Sequence, residues 1–150
     1  MKKSVVVTGS ESGMGAAIVA RLLEGGYRVI GVDLPGKGAE IGGDLSTAQG
    51  RQQIIQQALE DCSGTLDGIV CNAGVDNENI PLVYGVNFYG VVDLLNGLQG
   101  ALAHAGRSAA VVNVSNSIAI TPGVPEGAVE KLADGDYKGA VEALKDNPKF

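Results

Sequence analysis

Cysteine is scarce, positive charge is outnumbered and long apolar runs are missing, and each shortage removes a class of protein. The two cysteines, Cys62 and Cys71, lack metal-ligand or disulfide-framework spacing and read as small buried apolar residues. Against 17 Asp and Glu stand 11 Lys and Arg, a net charge of −6, which argues against a nucleic-acid or anionic-membrane surface. Met1-Lys2-Lys3 runs directly into a β-branched segment with no signal-peptide core, and no apolar stretch is long enough to cross a bilayer. The expected setting is the cytoplasm, with no membrane or nucleic-acid partner. At 150 residues and 45% hydrophobic content, the chain suits one domain burying roughly two-thirds of its unfolded surface.

What is present alternates between two periodicities. Ser4 to Thr8 is a short β-branched run, as a strand buried on both faces requires. Met14, Ile18 and Leu22 then recur every four residues, a helical stripe closed by Gly25-Gly26. Tyr27 to Val32 predicts a second strand and Ala39 to Gly43 a short third one. Ser46-Thr47-Ala48-Gln49 reads as a capping box opening a helix through Arg51, Ile55, Ala58, Leu59 and Cys62. Leu66 to Cys71 predicts the fourth strand. The stripe Tyr84, Phe88, Val91, Leu95, Leu98 and Leu102 predicts a long helix ending at Gly106, and Ala109 to Val114 the fifth strand. Past Thr121 the pattern changes: Pro122 and Pro125 precede two short helices, Glu126 to Leu132 and Tyr137 to Leu144. The organisation is α/β, a Rossmann-like doubly wound parallel sheet of order 3-2-1-4-5 with C-terminal short helices and no sixth or seventh strand. Residues 1–120 form the core of this single domain, and 121–150 an insertion-like helical tail.

The chemistry-bearing motif sits at the first strand-to-helix turn. Thr8-Gly9-Ser10-Glu11-Ser12-Gly13-Met14-Gly15 joins the first strand to the first helix, and Asp33 ends the second strand 18 positions past Gly15. A tight glycine turn and a helix N-terminus suit a pyrophosphate, whose charge backbone N–H groups can meet even on an acidic protein. A carboxylate at the end of the second strand accepts bonds from adenosine-ribose hydroxyls and repels a 2′-phosphate. No Arg follows Asp33 closely and Lys37 is the only nearby cation, so the pattern favours NAD over NADP.

These residues resemble the short-chain dehydrogenase/reductase family. The glycine run is similar to that family's Thr-Gly-x-x-x-Gly-x-Gly, Asp44-Leu45 to its adenine-pocket pair and Asn72-Ala73-Gly74 to its Asn-Ala-Gly turn. Asn87 resembles the helix asparagine of its proton relay, and Val111-Val112-Asn113-Val114-Ser115 the strand leading to its catalytic serine. The resemblance implies NAD binding through Thr8, Gly9, Ser12, Gly13, Met14, Gly15, Asp33, Leu34, Asp44, Leu45, Asn72, Ala73 and Gly74. It implies catalytic roles for Asn87 and for Ser115 or Ser117, between which the alignment leaves the serine open, and no metal. The implied reaction is hydride transfer between nicotinamide and a secondary alcohol or ketone, of hydroxysteroid type. One departure stands out: none of Tyr27, Tyr84, Tyr89 or Tyr137 is followed by Lys four residues on. The family's tyrosine acid-base, and the lysine that lowers its pKa, are therefore not in this sequence. It reads as the N-terminal part of such an enzyme with little or no turnover of its own. The alternative reading is a non-catalytic nucleotide-binding module. A second apolar line on the long helix, Val83, Val86, Val92 and Leu94, together with the family's helix-to-helix interface, implies a homo-oligomer, most simply a dimer.

Overall fold

A computed structural model describes residues 2–114 and 125–145. Five parallel strands form one sheet in the order β3-β2-β1-β4-β5, as the sequence pattern predicts. They are β1 (Ser4–Thr8), β2 (Arg28–Asp33), β3 (Ile41–Gly42), β4 (Gly68–Cys71) and β5 (Ala109–Val112). The central strand β1 pairs Val5 with Val29 and Val7 with Gly31 on one side, and Val5 with Gly68 on the other. Its Val5-Val6-Val7 run is continuously apolar because both sheet faces are covered there.

The helices are α1 (Gly13–Glu24), α2 (Ala48–Asp61), α3 (Ile80–Tyr84), α4 (Gly90–His104), α5 (Glu126–Ala133) and α6 (Tyr137–Lys145). The main core lies between the sheet and the pair α2–α4, where Val6, Ile30, Val32 and Ile69 meet Ile54, Ala58, Leu94 and Leu98. Val5 and Val7, which alternate with Val6, are buried toward the other face, against which α1 lies. Core burial at each Leu or Ile is worth about 1.5–3 kcal/mol, so this one layer dominates the stability of the unit. The tail helices α5 and α6 pack on each other, and the Tyr137 ring meets the Tyr89 ring at 4.0 Å.

Three local expectations are corrected. The cap of α2 is Thr47, whose hydroxyl accepts from Gly50 N–H at 3.0 Å, and not a Ser46–Gln49 box. Asp44 Oδ1 already holds Ser46 N–H at 2.9 Å, so the turn ends one residue later. The buried face of α2 is Gly50, Arg51, Ile54 and Ala58, with Ile55 and Leu59 only partly covered. The long helix is real but not uniform: α3 and α4 are joined by a π-helical turn at Gly85–Tyr89. Val86, Gly90, Leu94 and Leu98 are buried along its inner face, and Val91, Leu95 and Leu102 of the expected stripe are partly buried against the same core.

Candidate functional site

The carboxyl ends of β1, β2 and β4 converge on a cleft of about 290 Å³. Its floor is Gly9, Ser12 and Val32; one wall carries Asp33 and Leu34, another Asp44 and Leu45, and a third Ala73, Gly74 and Val75. The structure thus brings together eight of the residues that the glycine, acid and Asn-Ala-Gly motifs single out. Thr8, Gly13, Met14, Gly15 and Asn72 shape the turns around it without forming its wall.

The glycines are needed where they stand. Gly9 has φ +67°, a backbone conformation that costs a residue with a side chain. A Cβ at Gly15 would collide with the Gly9 carbonyl oxygen, so only glycine lets α1 start this close to the β1 turn. The open side of Gly13, where a Cβ would meet nothing within 4 Å, exposes the first turn of α1. Ser12 caps that helix with extended backbone and no side-chain bond, leaving early N–H groups directed outward.

Asp33 is fixed by two backbone donors: Glu11 N–H to Oδ2 at 3.0 Å and Leu34 N–H to Oδ1 at 2.8 Å. Thr8, only 2% exposed, joins the first turn to the third wall. Its Oγ1 accepts from Asn72 N–H and Ala73 N–H, both at 3.0 Å. The Asn72 amide donates to the Thr8 carbonyl at 3.3 Å and accepts from Asn113 Nδ2 at 3.0 Å. A line of amides therefore crosses the strand ends from β5 through β4 to β1. Asn87, on the π-helical turn, spends both ends of its amide on Val75: it accepts from Val75 N–H and donates to Val75 O, each at 2.8 Å. Ser115 and Ser117 lie outside the described residues.

Behind the Asp44–Leu45 wall sits Arg51, 7% exposed. Its guanidinium donates to Asp93 at 2.7 Å and to the Leu45 carbonyl at 2.9 Å, and lies 5.4 Å from the Tyr89 ring centroid. Burial, and then the neighbouring Tyr137 and Tyr84, push the Tyr89 hydroxyl up to about 12. Burial alone raises the Cys71 thiol to about 11, which keeps it protonated at neutral pH. Sequence reasoning did not assign Ser10, Glu11, Val75, Arg51 or Asn113 to the site. Ser10 and Glu11 fill variable positions of the glycine turn, and Arg51 fell on a helical stripe read as apolar. Only Asn113, two residues before Ser115, had a motif position that could have marked it.

A five-stranded parallel sheet of this order, with a glycine turn and an acid at adjacent strand ends, is a Rossmann-like α/β fold. The chain belongs to the short chain dehydrogenase family, whose pattern matches residues 3–129. It is 37% identical over 110 residues to a 3-alpha-hydroxysteroid dehydrogenase/carbonyl reductase of Comamonas testosteroni, covering 72% of this chain and 42% of that protein. It is 35% identical over 119 residues to a coniferyl-alcohol dehydrogenase of Pseudomonas sp., covering 76% of this chain and 44% of that one. The crystal structure of the 3-alpha-hydroxysteroid dehydrogenase from Pseudomonas sp. B-0831 complexed with NADH superposes with a TM-score of 0.84 at 38% identity. That match covers 97% of this chain and 57% of that structure. The chain spans about half the length of these relatives. Among the described residues, no helix is long and apolar enough to cross a membrane, and no cluster of His, Cys, Asp or Glu is arranged to hold a metal.

Proposed function

We propose that the cleft binds NAD(H) and that the chain is the nucleotide-binding part of a dehydrogenase/reductase acting on a secondary alcohol or ketone, of hydroxysteroid type. The observation that carries this reading is Asp33, which lines the cleft with its carboxylate fixed by two backbone bonds. Each carboxylate oxygen has capacity for a further donor, which a ribose hydroxyl supplies and a 2′-phosphate does not. Gly9, Gly13 and Gly15 would face the pyrophosphate, with Thr8, Ser12 and Met14 shaping that turn. Leu34, Asp44 and Leu45 would hold the adenine, and Asn72, Ala73 and Gly74 would pass the nicotinamide ribose. The bound nicotinamide supplies or accepts hydride. Ser115 or Ser117 would orient the substrate oxygen, and Asn87 would hold the 72–79 loop beside it while serving the proton relay. Without a Tyr-x-x-x-Lys in its sequence, the chain by itself is expected to turn over slowly or not at all.

The reading extends to a single domain with its core at 1–120 and a helical tail at 121–150, and to a homo-oligomer, most simply a dimer, through the long helix; of its second apolar line Val83 and Val92 are half-buried, whereas Val86 and Leu94 are buried in this chain's own core. A cytoplasmic setting fits the two buried, unpaired thiols. Calorimetric titration with NAD and NADP tests the core of the reading. Tighter binding of NAD supports it, tighter binding of NADP overturns the Asp33 argument, and binding of neither overturns the nucleotide site. Sedimentation equilibrium tests the assembly, where a clean monomer of 15.2 kDa would remove the dimer.

A further inference from the structure

We propose that Glu11 is a second, pre-positioned determinant of nucleotide choice, a residue whose backbone N–H holds Asp33 and whose fixed negative charge disfavours a 2′-phosphate on the adenosine ribose. The proposal rests on the reading of the cleft as the adenosine site. Glu11 occupies a variable position of the glycine turn, where a solvated, freely swinging side chain would be the default. It is not free here. Ser10, 3% exposed, donates its hydroxyl to Glu11 Oε1 at 2.8 Å. Ser10, in the turn after β1, has room because it folds against Gly31 of β2, where a Cβ would lie 2.8 Å from Ser10 Oγ. The other carboxylate oxygen, Oε2, reaches the loop after β2, within 3.6 Å of a Cβ built on Gly38. The Glu11 backbone N–H meanwhile donates to Asp33 Oδ2 at 3.0 Å, which ties the residue that carries this carboxylate to the acid of the cleft rim.

Charge then decides what the rim accepts. Among the described residues, no Lys or Arg forms an ion pair with Glu11 or Asp33. Lys37, the cation of the adjoining loop, contributes a backbone N–H to Leu34 O at 3.2 Å. Ribose hydroxyls of NAD can donate to such a rim. A 2′-phosphate brings negative charge and no donor, and a carboxylate held by Ser10 cannot swing away without losing its bond. Glu11 thus adds a repulsive element to the attractive one that Asp33 supplies.

The test is calorimetric titration of the 150-residue chain and its Glu11→Gln and Ser10→Ala variants with NAD and with NADP, at low and high salt. For Glu11→Gln, the NAD affinity should change little while the NADP affinity rises roughly tenfold, the size Coulomb's law gives for one nearby charge at a protein surface. Ser10→Ala should move the ratio in the same direction by less, and salt should shrink the preference of the unaltered chain more than that of Glu11→Gln. A Glu11→Gln variant that binds NAD with an unchanged NAD-to-NADP ratio would overturn this role and leave the proposed function standing. Failure of the unaltered chain to bind either nucleotide would overturn both.

Discussion

Arg51 on α2 and Asp93 on α4 meet at 2.7 Å, with the arginine side chain 8% exposed and the aspartate 37%. The same guanidinium holds the Leu45 carbonyl and stacks toward Tyr89. One side chain therefore joins the Asp44–Leu45 wall of the cleft to the two helices that cover the sheet. Arg51→Met keeps the volume but leaves the Leu45 carbonyl without this donor and Asp93 without its partner. Because Asp93 is partly hydrated, the loss should fall below that of a fully buried pair, at about 2 kcal/mol. Urea unfolding of both proteins checks this. Arg51→Lys, which keeps the charge but not the fork, should recover only part of the loss.

Thr8 offers a cleaner separation of hydrogen bonding from packing. Thr8→Val keeps the β-branched shape that the centre of the sheet needs and removes the acceptor of two backbone N–H groups, those of Asn72 and Ala73. Leaving two part-buried donors unpaired should cost about 2–4 kcal/mol, whereas Thr8→Ser should cost under half as much. Equilibrium denaturation distinguishes the two. Equal losses for Val and Ser would mean that the methyl group, and not the hydroxyl, holds the Asn72 turn.

The contrast between these residues shows what a sequence can disclose. The order of the sheet was legible because its strands are short apolar runs between turn residues, β-branched most fully in β1, where Val5-Val6-Val7 announces double-sided burial by itself. The cleft's glycine turn and Asp33 were legible because they stand at the ends of β1 and β2, whereas Asp44 was singled out only by the family resemblance. Arg51 was not, since its burial depends on Asp93, 42 residues away in the chain, and no local period reveals a partner that distant. The π-helical turn was hidden for a similar reason. Gly85 passes the Asp44–Thr47 turn so closely that a Cβ there would lie 2.6 Å from Ser46 O, a tertiary contact that no hydrophobic stripe records. Ser10 and Glu11 fall at unspecified positions of the glycine motif, and the approach of β2 at Gly31 gives Ser10 its fixed place.

Asn87 should control the mobility of the loop that follows β4. Its amide closes a two-bond ring on the Val75 backbone at 2.8 Å on each side. Asn87→Ala is expected to cost about 1 kcal/mol in global stability, since both bonds lie at exposed positions where water can replace them. The local effect should be larger: the Val75 amide should exchange its hydrogen at least tenfold faster, while amides of β1 keep their protection. Hydrogen exchange followed residue by residue checks this. Asn87→Asp keeps the acceptor and loses the donor, and should leave the Val75 amide protected.

The core of the sheet should make the protein sensitive to alkali, and the sign follows from burial. Cys71, 2% exposed in the cluster under α2 and α4, has its thiol raised from 9.0 to about 11. In the unfolded chain the thiol ionises near its ordinary value, while the folded chain holds the proton longer. Between those values the folded state binds more protons, so stability falls as pH rises. The contribution is fully present below pH 9 and is lost as pH climbs toward 11, with a two-unit shift amounting to roughly 3 kcal/mol. Tyr89, raised from 10.0 to about 12, adds a second loss beginning about one unit higher. Urea midpoints taken across this range should therefore slope downward, and the first part of the slope should flatten in Cys71→Ala even though that variant is less stable at neutral pH. Tyr89→Phe should flatten the later part. It should cost little at neutral pH, because the Tyr89 hydroxyl is buried without a hydrogen-bond partner among the described residues. A pH-independent midpoint from 8 to 11 in the unaltered chain would show that Cys71 ionises without unfolding and that the core under α4 admits water.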